Sequence, residues 1–130
     1  MIVLDASAAI EWLLQSPAGA RVEERLFSTA QSLHAPHLLD LEVAQVLRRC
    51  VAAGIISAGR TQEALQDFLD LPILRHAHDL LLWRIWDLRG SLAAYDAAYV
   101  ALAEALGATL LTCDAKIAAA SGHYAMVEVV

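Results

Sequence analysis

Two short apolar runs, Ile2-Val3-Leu4 near the start and Leu110-Leu111-Thr112 towards the end, lead respectively into Asp5 and, after Cys113, into Asp114. Runs this short, bounded by turn residues, are too brief for helices and read as strands buried on both faces. Strands of that kind belong to parallel sheets, which helices cover on either side. The intervening chain supplies the helices. Helical patterns fall at about Ser7 to Leu14, Ala18 to Gln31, Leu38 to Ala53, Ser57 to Leu69, His78 to Leu88, Ser91 to Leu106 and Lys116 to Ala120. Between them, Leu33 to Ala35 (stopped by Pro36), Pro72 to Leu74 and Ala125 to Val129 read as further strands. With no hairpin signal, internal repeat or linker, the expectation is an α/β protein: a three-layer α/β/α sandwich around a short parallel sheet, one domain spanning residues 1–130.

That reading places acids where a charge is costly. Asp5 and Asp114 lie at carboxyl ends of strands. Asp96 lies early in an apolar helix, in register with Val100 and Ala103. Glu42 lies in the first turns of its helix, on one face with Leu39 and Val46. Burying an unpaired carboxylate costs several kcal/mol. In an open α/β sheet the carboxyl ends of the strands form the ligand-binding edge. Four carboxylates gathered there imply a shared cation, and an all-oxygen donor set selects Mg²⁺ or Mn²⁺ over zinc or copper. Phosphodiester hydrolysis is the reaction such a cluster suits. Ser7 and Thr112, each two residues from an aspartate, are expected to orient carboxylates or water. Asp40 points nearly opposite to Glu42 on the same helix and reads instead as a helix cap.

Bulk properties narrow the classes. At 130 residues with 58% apolar content the chain can bury a core, and no stretch is long and apolar enough to span a membrane. Met1 runs straight into a strand-like segment without a cationic leader, so the expected location is the cytoplasm. Cys50 and Cys113 read as buried reduced thiols. The net charge of −6 weighs against nucleic acid, although one divalent cation would bring it to −4 and two to −2. Eight of the nine basic residues are arginines. Arg48, Arg49, Arg75, Arg84 and Arg89 are candidate phosphate contacts, with solvated helix faces the plainer reading. Trp12, Trp83 and Trp86 read slightly better as core than as a partner groove. The five histidines read as loop or surface residues without a catalytic role.

The segments Ile2-Val3-Leu4-Asp5-Ala6-Ser7, Ala35-Pro36-His37-Leu38-Leu39-Asp40-Leu41-Glu42-Val43, Tyr95-Asp96-Ala97-Ala98-Tyr99-Val100-Ala101-Leu102-Ala103 and Leu110-Leu111-Thr112-Cys113-Asp114 together resemble the PIN-domain family. Within it they are most similar to the VapC-type ribonuclease toxins of toxin–antitoxin pairs. The resemblance covers nearly the whole chain. It implies a Mg²⁺- or Mn²⁺-dependent endoribonuclease with Asp5, Glu42, Asp96 and Asp114 as its acidic quartet and Ser7 and Thr112 beside it. It also implies a homodimer and a VapB-type antitoxin that covers the active site and alone contacts operator DNA. One departure stands out. Many relatives carry an asparagine a turn after the helix glutamate, where this chain has Gln45 and Val46.

Other classes fit less well. A receiver-like phosphoacceptor domain would share the size, the acidity, Thr112 and Lys116, but it wants adjacent acids after the first strand, and Ala6 follows Asp5. A haloacid-dehalogenase-type phosphatase wants a second aspartate at position 7, which is Ser7. A catalytically inactive PIN interaction module sits poorly with an intact quartet.

Overall fold

The computed structural model describes residues 1–130. Five strands, β1 (Ile2–Leu4), β2 (Leu33–Pro36), β3 (Ile73–His76), β4 (Thr109–Thr112) and β5 (Met126–Val129), form one sheet in the order β3-β2-β1-β4-β5. Every neighbouring pair is parallel. The apolar runs make the centre: Ile2, Val3, Leu4, Leu110 and Leu111 are all at most 1% exposed.

Seven helices cover the sheet: α1 (Ala6–Leu13), α2 (Pro17–Phe27), α3 (Leu38–Ala52), α4 (Ala58–Asp70), α5 (Leu82–Asp87), α6 (Ala94–Leu106) and α7 (Ala115–Ala119). Helix α1 packs on α2, α3 and α4, whereas α6 packs on β1, β2 and β4 together with α5. The chain steps outward from β1 to β3, then crosses back to β4 and continues to β5. Because parallel crossovers are right-handed, that reversal moves the connecting helices to the opposite face and produces the three-layer α/β/α sandwich. The switch point falls between β1 and β4, whose carboxyl ends lead into Asp5 and Asp114. A receiver domain has the different order 2-1-3-4-5, so this topology removes that alternative.

Several local expectations are corrected. Helix α2 ends at Phe27 rather than Gln31. Pro36 is the last residue of β2, not a stop before it, and pairs with His76 at the end of a longer β3. The helix expected from His78 divides into a 3₁₀ turn, Asp79–Leu81, and α5. Helix α6 starts at Ala94, so Ser91 does not cap it; the Ser91 hydroxyl donates to the carbonyls of Leu88 and Ser121. Asp40 is not a cap either. His37 holds the cap position of α3, and Asp40 accepts both its bonds from Arg75 Nε at 2.9 Å.

Helix α6 is the most deeply buried. Residues 97 to 103 are all buried, and alanines at 97, 98, 101 and 103 let it lie close on the sheet. Gly19 plays the same part on the other face. A Cβ there would stand 2.0 Å from the Glu11 carbonyl oxygen, so only glycine lets α2 cross α1 this tightly. No helix is long and apolar enough to cross a membrane.

Candidate active site

Asp5 directly follows β1 and is 4% exposed. Although it sits in the cap position of α1, its side chain caps nothing. Instead its Oδ2 accepts hydrogen bonds from Ser7 Oγ at 2.6 Å and Thr112 Oγ1 at 2.7 Å. These hydroxyls lie 3.1 Å apart and are themselves placed by backbone donors: Cys113 N–H donates to Ser7 Oγ and Asp114 N–H to Thr112 Oγ1, each at 2.9 Å. The Asp5 backbone N–H donates to the Leu111 carbonyl at 3.0 Å, which locks the ends of β1 and β4 together. The two residues expected to orient carboxylates therefore both converge on one oxygen of Asp5.

The other three expected acids reach the same place. A cavity of about 290 Å³ at the carboxyl edge of the sheet is lined by Asp5, Ser7, Glu42, Asp96 and Asp114, with Ala6, Ile10, Val46 and Glu11 completing its walls. Glu42 enters from the first turns of α3, Asp96 from the first turn of α6, and Asp114 from the start of α7. Tyr99, 1% exposed, donates its hydroxyl to Glu42 Oε1 at 2.6 Å. Asp114 caps α7 by accepting from Lys116 N–H on Oδ1 at 2.9 Å while also lining the wall.

The electrostatics are those of crowded like charges. Burial pushes the Glu42 carboxyl above its ordinary value; the Tyr99 hydrogen bond opposes this, and Asp5 and Asp96 reinforce it. Burial, then Asp5 and Asp114, likewise raises Asp96. The Tyr99 hydroxyl is pushed far up by burial and by its bond to Glu42, so it stays a donor at any physiological pH. No three acids, histidines or cysteines are gathered closely enough to form a finished ion cage. The donor chemistry of the carboxylates fits a hard dication: all ligands are oxygens, and each of Asp5, Glu42 and Asp114 keeps one oxygen that no protein donor reaches.

A scan against family models matches the PIN domain over residues 2–122. The chain belongs to the PIN-domain family. Within it, the similarity is to VapC ribonucleases. Ribonuclease VapC12 of Mycobacterium tuberculosis is 43% identical over 130 residues, covering 100% of this chain and 99% of that protein. Ribonuclease VapC9 of the same organism is 43% identical over 117 residues, covering 90% and 88%. The fold agrees. The structure of VapBC2 from Rickettsia felis, bound to a DNA fragment from its promoter, superposes with a TM-score of 0.73 at 15% identity, covering 99% of this chain and 98% of that one.

Some surroundings of this PIN site were not foreseen. Glu11 stands one turn beyond Ser7 on α1, and that i, i+4 spacing was the available signal. Tyr99 lies three residues after Asp96 on α6, which likewise puts both on one face. One turn past Glu42 the cavity wall is Val46, while Gln45 is exposed, so Gln45 does not supply an amide at that wall.

Away from the cavity, Arg75 and Arg84 are partly exposed but already paired with carboxylates. Arg75 is bound to Asp40, and Arg84 donates from Nε to Glu104 Oε2 at 2.7 Å. Arg48 and Arg49 are exposed. Arg89 lies over the Trp86 ring, 4.7 Å from its centroid. Trp83 and Trp86 are 83% and 58% exposed, against the expectation of core, whereas Trp12 does pack against the core. His34 also departs from expectation: it is buried in β2 and shares a 2.9 Å hydrogen bond with His76.

Proposed function

We propose that the chain is a single PIN domain, residues 1–130, acting as the metal-dependent endoribonuclease toxin of a VapBC-type pair in the cytoplasm. The observation that carries this reading is the convergence of Asp5, Glu42, Asp96 and Asp114, from four separate segments, on one cavity. The VapC ribonucleases it resembles along their whole length support the activity. Asp5 and Asp96 would hold the principal Mg²⁺ or Mn²⁺, with Asp114 completing the set. When bound, the dication supplies charge neutralisation at the scissile phosphate and a more acidic water.

The chain's own residues do the rest. Ser7 and Thr112 occupy Asp5 Oδ2 and so aim Oδ1 into the cavity. Tyr99 fixes Glu42 through Oε1, which leaves Oε2 to orient the attacking water and take its proton. Arg48 and Arg49, exposed on α3, are the candidate contacts for RNA phosphates.

A homodimer and a VapB-type antitoxin are the expected protein partners. The groove of about 320 Å³ lined by Leu82, Trp83, Ile85, Trp86 and Ala94 supports a protein-binding surface, since exposed aromatic patches favour such contacts. Operator DNA would be reached only through the antitoxin.

The test is RNA cleavage by purified protein in Mg²⁺ or Mn²⁺. Asp5→Ala and Asp96→Ala should each abolish it while circular dichroism still reports a folded chain. Cleavage retained by a folded double variant refutes the assignment.

A further inference from the structure

Glu11 is the one acid on the cavity wall that lies outside the quartet. Its carboxylate is not adrift. Ser16 Oγ donates to Glu11 Oε2, and the same Ser16 oxygen accepts from Gly19 N–H at 3.0 Å as the cap of α2. Glu11 is thus tied to the N-terminus of an 11-residue helix, an end that favours negative charge. Gly19 sits in the same knot, because its missing Cβ lets α2 approach the Glu11 carbonyl.

Three of the four other wall acids, all but Asp96, show the same arrangement. Asp5 gives Oδ2 to Ser7 and Thr112, Glu42 gives Oε1 to Tyr99, and Asp114 gives Oδ1 to Lys116 N–H. Each keeps a second oxygen free. Glu11 follows the pattern: Oε2 is held by a neutral donor and Oε1 has no protein partner. By contrast, Asp40, Glu63, Asp67, Glu104 and Glu128 are all paired with arginines.

We propose that Glu11 is a fifth carboxylate of this active site, a positioning residue that tightens the hold on a divalent cation in the cavity. The inference rests on the metal-dependent reading above. It adds a residue of this chain's own to that site and explains why an acid is braced there by Ser16.

The alternative is that Glu11 merely splices α1 to α2, and one substitution separates the two roles. In Glu11→Gln the amide oxygen can still accept the Ser16 hydroxyl, so the brace survives while the charge is lost. Mn²⁺ is titrated calorimetrically into the full chain, and thermal unfolding is followed in chelator. Glu11→Gln should weaken Mn²⁺ binding roughly tenfold, the scale of one unit charge near a dication in a partly solvated site, with an unchanged melting temperature. Ser16→Ala, which keeps the charge but frees it, should weaken binding by less. Glu23→Gln, which removes an acid lining a different cavity, should bind as the wild type does.

Undiminished Mn²⁺ affinity in Glu11→Gln overturns the proposal while leaving the metal-dependent reading intact. So does an equal loss in Glu23→Gln, which would make the effect one of net charge. A wild-type chain that binds no Mn²⁺ overturns both.

Discussion

Thr112→Val removes a single oxygen from a fully buried position and leaves the shape of the side chain almost unchanged. That oxygen donates to Asp5 Oδ2 at 2.7 Å and accepts from Asp114 N–H at 2.9 Å. A hydrogen bond to a charged group is worth about 1.5–3 kcal/mol and a neutral one about 1 kcal/mol. Asp5 keeps its bond from Ser7, so the expected loss of folding stability at pH 7 is about 2–4 kcal/mol. For 130 residues, with an unfolding entropy of roughly 2 cal/mol/K per residue, each kcal/mol lowers Tm by about 4 °C. The melting temperature in chelator should therefore fall by roughly 8–15 °C. The greater part of this comes from the charge on Asp5, which a double-mutant cycle isolates. In an Asp5→Asn background the acceptor is neutral and the Thr112→Val loss should shrink by about 1–2 kcal/mol. A loss below about 0.5 kcal/mol, or the same loss in both backgrounds, would mean that Thr112 does not act through the Asp5 carboxylate.

Asp96→Asn should abolish cleavage yet stabilise the metal-free protein at pH 7. Asp96 and Glu42 both hold protons more tightly folded than unfolded, so their contribution to stability falls as pH rises from the ordinary carboxylate range through their raised values. The gain should stay below about 1 kcal/mol because water screens these half-exposed groups, and it should vanish as the pH is lowered towards 4; thermal melts across pH in chelator read it out. Gly19→Ala would drive a methyl group into the Glu11 carbonyl, and a loss of about 3 kcal/mol or more in urea unfolding is expected, with wild-type stability refuting the tight crossing. Replacing both Trp83 and Trp86 with serine should leave Tm within a few degrees, since both are largely exposed. The same variant should weaken antitoxin binding at least tenfold by calorimetry, and full affinity would place the partner elsewhere.

The sequence alone determined the parallel α/β architecture and the placement of the four acids. Strand and helix periods are local, and Asp5 and Asp114 lie one and two residues beyond short apolar runs that read as strands. Ser7 and Thr112 were legible for the same reason. What each of these groups touches was not. The bond between Thr112 and Asp5 joins residues 107 positions apart, and it exists because β4 lies beside β1, a neighbour relation fixed by the order of the whole sheet. The same holds for Tyr99 under Glu42, Arg75 on Asp40 and the His34–His76 pair. The tryptophans mark the other boundary. Trp83 and Trp86 carry the apolar signature of core, but α5 is a short helix at the edge of its layer, and no further element of the chain covers it. Composition records how much apolar surface a chain possesses, whereas only the packed tertiary structure decides which part of it stays in water.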